Sequence, residues 1–182
     1  MKPIFTLEYS EFEFADLLTK SFDKDDYSVV IPASRQQKYF DVAFLNVKSR
    51  EAKTFQLKSS RSYKGSPSVR KKYKIQYHGW FSKPIKLNPK MDFLVLTVYF
   101  QNTPEAGNPG SISWKSTIFV FTAEEAKSCN MHKKQFYIGI TEKGDYVVCR
   151  SIDHPRSIKD NLYETWVNSF KQEFDHSKSK RT

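Results

Sequence analysis

The 182-residue sequence has only two cysteines, Cys129 and Cys149, and no CxxC pair. This excludes a disulfide scaffold and paired-cysteine metal sites, and both thiols are expected to be free. No apolar run approaches the roughly 18 residues that a membrane helix needs, and the mean hydropathy is -0.64. His78, His132, His154 and His176 stand at no metal-ligand spacing with one another or with the cysteines. Neither a GxGxxG nor a Walker A sequence occurs, so a nucleotide cofactor is unsupported. The opening MKPIFTLEYSEFEF turns acidic too early for a secretory signal. There is no internal repeat and no low-complexity tract. These absences point to a soluble cytoplasmic protein that contacts no membrane. Its length suits a single domain over residues 1–176, followed by a frayed basic tail at 177–182.

Another absence is local. From Glu51 to Asp92 there is no acidic residue, while Lys53, Lys58, Arg61, Lys64, Arg70, Lys71, Lys72, Lys74, Lys83, Lys86 and Lys90 fall between them. The rest of the chain carries 19 basic and 20 acidic residues, so the whole net charge of +10 belongs to this segment. Phe55, Tyr63, Tyr73, Tyr77, Trp80 and Phe81 are interleaved with the charges. A run of charge is often no more than a solvated face. Eleven cations with no acid among them, mixed with aromatics, suit a phosphate backbone with base or sugar contacts. Tyr73, Tyr77 and Trp80 either stack on bases or pack in the core.

What is present suffices for a core: 15 Phe, ten Tyr and three Trp argue against wholesale disorder. Ser10-Glu11-Phe12-Glu13 fits a capping box, with Tyr9 and Phe14 placed as a hydrophobic staple. Phe14, Leu17, Leu18 and Phe22 then repeat at helical spacing, which predicts a first helix over 11–22. Three strands are expected over 27–31, 40–45 and 54–58, as a meander. Residues 59–90 are punctuated by Gly65, Pro67, Pro84 and Pro89, and 73–81 reads as a strand or a short helix. The run DFLVLTVYF over 92–100 has the pattern of a fully buried strand. A loop over 102–113, a strand over 117–122 and a short helix capped by Thr122 over 123–129 follow. A hairpin over 136–141 and 146–150 turns at Gly144. Ile158, Leu162, Trp166 and Phe170 then predict a last helix over 158–174, with Trp166 in the core. Cys149, on a strand, is expected to be core.

On the second of these strands Asp41 precedes Val42, and on the third Gln56 and Lys58 share one face. An acid on one strand and Q-x-K on its neighbour can converge at one end of the sheet. The order of elements and these residues resemble the PD-(D/E)xK nuclease superfamily, which includes type II restriction endonucleases and archaeal Holliday-junction resolvases. The resemblance covers residues 10–100. It implies an α/β, restriction endonuclease-like α-β-β-β-α-β core, with a mixed central sheet flanked by helices and an extra C-terminal hairpin and helix. Its acid and its (D/E)-x-K map to Asp41 and to Gln56-Leu57-Lys58, with fourteen residues between Asp41 and Gln56. Ser59 resembles the resolvase pattern, and Glu13 matches the helix glutamate of several members. Phe40 replaces the nominal proline, and Gln56 replaces the acid. The resemblance implies that some active members carry an amide there.

The resemblance implies a Mg²⁺-dependent endonuclease (a hydrolase) that cuts DNA phosphodiester bonds, with Mn²⁺ as a substitute ion. Asp41, the Gln56 amide and the Leu57 backbone carbonyl would be metal ligands. These oxygen donors suit a hard cation, which polarises the phosphate and lowers the pKa of an attacking water. Lys58 would orient that water, and Glu13 would restore part of the missing charge. Glu13 is also explained by the capping box. Arg61, Lys64, Arg70, Lys71, Lys72 and Lys74 follow directly and are the expected DNA contacts. The partner is expected to be double-stranded DNA, and cutting both strands calls for two sites, hence a homodimer. Two other classes compete. One is a non-catalytic nucleic-acid-binding module on the same fold, in which Gln56 marks a lost acid. The other is a basic interaction domain that meets an acidic protein.

Overall fold

Helix α1, Tyr9–Ser21, is amphipathic, and it buries Phe14, Ala15 and Leu18 against the sheet. The computed structural model describes residues 9–32, 40–65, 67, 70, 74–102, 113–149 and 155–176. The helix starts two residues earlier than the periodicity predicts. Ser10 therefore lies inside it rather than at its N-cap, and Tyr9 is not a staple residue. Tyr9 is exposed, with its ring 6.0 Å from that of Tyr99.

A meander follows, made of β1 (Tyr27–Val30), β2 (Val42–Asn46) and β3 (Ala52–Lys64), each antiparallel to the next. Asn46 closes the turn between β2 and β3, where its Oδ1 accepts the amides of Lys48 and Ser49 at 3.0 Å. The third strand is far longer than the five residues the alternation marks. Its start pairs with β2, its middle with β5 and its end with β4, and the last two pairings are ones that the local pattern does not report.

The connection after β3 carries β4 (Ile75–Phe81), so the ambiguous 73–81 region is a strand where it is described. Next comes β5 (Phe93–Asn102), which lies parallel to β3 from Phe55↔Phe93 to Arg61↔Tyr99. It is antiparallel to β6, Ser113–Thr122. β5 reads as continuously apolar because it is covered on both faces: Leu94, Leu96 and Val98 point to one core and Val95 to the other. Its start is clamped by Asp92, whose Oδ2 accepts the Thr54 amide and hydroxyl at 2.8 Å. The expected loop over 102–113 falls mainly outside the described residues.

Helix α2 (Ala123–Ser128) has the predicted cap: Thr122 Oγ1 accepts from the Glu125 amide, and the Glu125 carboxylate accepts from the Thr122 amide. The hairpin is β7 (Phe136–Thr141) and β8 (Tyr146–Cys149), turned by Gly144 at φ 84°. A short strand, β9 (Arg156–Ser157), borders β8. The last helix is shorter at its start than expected. Ile158 and Leu162 flank a 3-10 turn, Leu162 bridges to Phe119, and helix α3 runs Tyr163–His176. Trp166 packs on Phe55, Phe93 and Phe170. The expected tail, 177–182, lies outside the described residues.

The chain is thus a mixed α/β protein whose sheet, nine strands among the described residues, is mostly antiparallel. It has two cores. On one face of β2–β3–β5–β6, α1 and α3 enclose Phe14, Phe44, Phe55, Leu57, Val95 and Phe170. On the other face, Leu94, Leu96, Val98, Phe119 and Phe121 meet Phe81, Phe136, Ile138, Met131 and Ala126. Gly79 permits this second contact, because a Cβ there would stand 2.7 Å from Val98 Cγ1. Cys149 is buried, and burial pushes its thiol up to about 11. Among the described residues no helix is long and apolar enough to cross a membrane.

Candidate active site

Strand β3 has β5 along one edge. Along the other edge run β2 at its start and β4 at its end. Phe55 O accepts the Asp41 amide and Gly65 N donates to Gln76 O, each at 2.8 Å. Residues an even number apart on a strand direct their backbone groups to the same edge, so β2 and β4 share it. β2 pairs no further than Phe55, and β4 begins at Ser62. Among the described residues no strand borders this edge between them. The gap falls on Gln56–Arg61 and therefore on the Q-x-K.

Asp41 stands at one side of this gap, one residue before β2. Its Oδ2 accepts the Leu57 amide at 2.6 Å, a bond that the next residue of β2 would otherwise supply. The register Val42↔Phe55 sets Asp41 opposite Gln56. Gln56 Oε1 is buried and has no hydrogen-bond partner among the described residues. The Leu57 carbonyl leaves the strand on the same edge as its amide and so points into the gap. Lys58 lies on the Gln56 face, two residues on, and is exposed. At the far side Ser60 Oγ accepts the Trp80 amide at 3.0 Å and stands 3.0 Å from the Trp80 carbonyl, joining β3 to the end of β4.

The register therefore places a carboxylate, an amide oxygen with no partner among the described residues, and a backbone carbonyl on neighbouring positions of one strand edge, with a lysine two residues on. All three are hard oxygen donors, and they fit Mg²⁺, which binds through few protein ligands and keeps several waters. The negative charge they supply is that of Asp41 alone. Among the described residues no group of three or more His, Cys, Asp and Glu could hold a metal.

Glu13 is placed elsewhere. Helix α1 packs on the face that carries Phe55 and Leu57, whereas Gln56 and Lys58 alternate to the opposite face. The Glu13 carboxylate accepts hydrogen bonds from Ser116 Oγ and, at 3.4 Å, from Tyr99 OH. It thus does not serve the capping box. Tyr99 pairs with Arg61, four residues beyond Leu57, or about 13 Å along the strand. Burial, then the Glu13 charge, raises the Tyr99 phenol above its ordinary pKa.

Of the expected DNA contacts, Arg61, Lys64, Arg70 and Lys74 are exposed. Lys71 and Lys72 lie outside the described residues, as does Tyr73. Tyr77 packs against a core, while Trp80 is exposed. Ser60, Tyr9, Tyr99 and Trp114, which surround the second half of β3, escape the sequence reading. Their role depends on which strands meet there, and no local pattern carries that information. Comparison with protein-family models, with curated proteins and with solved structures found no match to this chain.

Proposed function

We propose that the chain is a metal-dependent endonuclease acting on DNA, built on a restriction endonuclease-like core. The observation that carries this reading is the gap on β3. There the Asp41 carboxylate accepts the Leu57 amide, the register sets Asp41 opposite Gln56, Gln56 Oε1 is buried with no partner among the described residues, and Lys58 is exposed two residues on. The order of elements supports it in part: a helix, a three-strand meander and, after the intervening β4, a strand parallel to the third.

Asp41, Gln56 Oε1 and the Leu57 carbonyl would hold Mg²⁺ or Mn²⁺. When bound, the ion would polarise the scissile phosphate and lower the pKa of an attacking water. The exposed Lys58 ammonium would orient an attacking water toward phosphorus and offset the charge that builds on the phosphate oxygens. Asp41 carries the single negative charge of the ligand set and is itself held in place by the Leu57 amide. Arg61 and Lys64, exposed further along β3, take up neighbouring phosphates and fix the register of the strand being cut. Glu13, tied to Ser116 and Tyr99, supports the junction of α1 with β5 and β6 rather than the metal.

The test is cleavage of supercoiled plasmid, linear duplex and branched DNA with Mg²⁺ or Mn²⁺, comparing wild type with Lys58→Ala. Metal-dependent cutting that the variant loses while keeping its fold supports the reading. Equal activity in Lys58→Ala sinks the assignment of the site. Salt-sensitive DNA binding by a wild type that cuts none of these substrates favours the non-catalytic binding module, in keeping with the single carboxylate at the gap.

A further inference from the structure

Beside the gap, on the face of β3 that carries Ser59 and Arg61, lies an open groove of about 680 Å³. Tyr9, Ser10, Arg61, Tyr99 and Trp114 line it together with Ser59. Beyond Arg61 the same face continues across β4 and β7. The register Ser62↔Gly79 sets Arg61 beside Trp80, and the next pairs set Tyr63 beside His78 and Trp80 beside Tyr137. The Trp80 and Tyr137 rings lie nearly parallel, 17° apart, with centroids at 6.4 Å.

Four large rings on this face are exposed: Tyr9 at 70%, Tyr63 at 57%, Trp114 at 47% and Trp80 at 46%. Each leaves a large ring in solvent rather than in a core. Gly79 and Phe81, next to Trp80, both turn inward. The rings surround Arg61, and Lys64 is exposed one residue past Tyr63. No acidic residue occurs from 52 to 91. The Glu13 carboxylate, on the helix that brings Tyr9 and Ser10 to the groove, is bonded to Ser116 and Tyr99. Exposed flat rings around a cation match a polyanion whose flat bases are free. A peptide would need neither the flatness nor the excess of positive charge. A continuous duplex offers its phosphates but hides the faces of its bases, so the rings would have nothing to stack on.

We infer that this face is a stacking platform for unpaired nucleotides, with bases on Trp114 and Tyr9 at one end, on Trp80 and Tyr137 at the other, and a phosphate on Arg61 between. The inference rests on the proposed nuclease reading for the identity of the polymer as DNA. It narrows the substrate to DNA with a single-stranded segment next to the cut.

Binding can be read apart from cleavage. Wild type, Trp80→Ala and Trp114→Ala are titrated, in chelator, into a labelled oligothymidylate and into a blunt duplex of equal length. Circular dichroism checks the fold of each variant, and Trp80→Phe, which keeps a ring, is the control for Trp80→Ala. The single strand should bind about tenfold more tightly than the duplex. Each alanine variant should weaken that binding about tenfold and leave the duplex nearly unchanged. Trp80→Phe should stay close to wild type. Duplex affinity equal to or above that of the single strand, or single-strand affinity unmoved in both alanine variants, overturns the platform. Retention of neither DNA also overturns it and leaves the face to an acidic protein. Asp41-dependent cutting of blunt duplex without a single-strand preference would sink the platform and spare the nuclease reading. Trp80- and Trp114-dependent binding with no cleavage of any DNA would do the reverse.

Discussion

The Asp41 carboxylate accepts the Leu57 amide at 2.6 Å, at the point where β2 stops bordering β3. One side chain thus replaces a missing rung of the sheet and presents a negative charge to the gap. Asp41→Asn keeps an acceptor for the amide and removes the charge. Its melting temperature should stay near wild type, while metal-dependent cleavage falls by at least about a hundredfold. Asp41→Ala also leaves the amide without its partner, at a cost of about 1–3 kcal/mol. Thermal melts of the two variants read the bond, and cleavage reads the charge. Identical melts would mean that the bond contributes nothing to stability.

Gln56 Oε1 is a buried acceptor with no donor among the described residues. Gln56→Glu places a second carboxylate opposite Asp41. Two like charges this close, half-shielded from water, raise each other's energy. The variant should therefore melt below wild type in chelator, and Mg²⁺ should raise its melting temperature by more than it raises that of wild type. Calorimetric melts with and without Mg²⁺ decide the matter, and a Mg²⁺ response no larger than that of wild type would show that these oxygens do not share an ion.

His78 has its Nδ1 buried without a partner among the described residues, and its ring stands nearly perpendicular to that of Tyr137, with centroids 5.0 Å apart. Burial lowers its pKa below the ordinary 6.5. Above 6.5 the ring is neutral in both folded and unfolded chains and adds no pH dependence. As the pH falls through 6.5, the unfolded chain takes up a proton that the folded one resists, so stability declines until the lowered folded pKa is reached. Melting temperature should drop over that window, and His78→Gln should lessen the drop. The same slope in both proteins would place its origin in other groups.

Tyr163 OH donates to Ser21 Oγ at 2.9 Å and so ties α3 to the end of α1. Burial pushes the phenol up to about 12, so it keeps its proton through the neutral range. Tyr163→Phe retains the ring against Phe14 and loses the bond, which costs about 1 kcal/mol. A chain of this length should then melt about 2–4 °C lower. A change much larger than that, seen by calorimetry, would mean that the hydroxyl also organises the packing of the two helices.

Elements with strong local signals were legible in the sequence. Phe14 and Leu18 mark α1 through their spacing, Thr122 and Glu125 mark the start of α2, and Gly144 marks the hairpin turn. The failures share one cause. Ser10 and Glu13 match a capping pattern, but their helix begins earlier, and the Glu13 carboxylate finds partners on β5 and β6, some hundred residues away. Leu162 fits the helical period yet is drawn into a bridge with Phe119. Contacts made across such separations leave no trace in a window of a few residues.

The same division runs through the candidate site. The sequence by itself determined that the positive charge is concentrated between Glu51 and Asp92, and that Gln56 and Lys58 share a strand face two residues apart, because composition and alternation are local properties. Only the tertiary structure decided that the pairing of β2 with β3 stops at Val42↔Phe55 and that of β4 begins at Ser62, which leaves the edge of Gln56–Arg61 open between them among the described residues. It also decided that Tyr9, Trp80 and Trp114, from three distant parts of the chain, surround Arg61. Strand pairing is set by the summed burial of two cores and not by the residues at the edge, so the gap and the ring of aromatics exist only once the chain has folded.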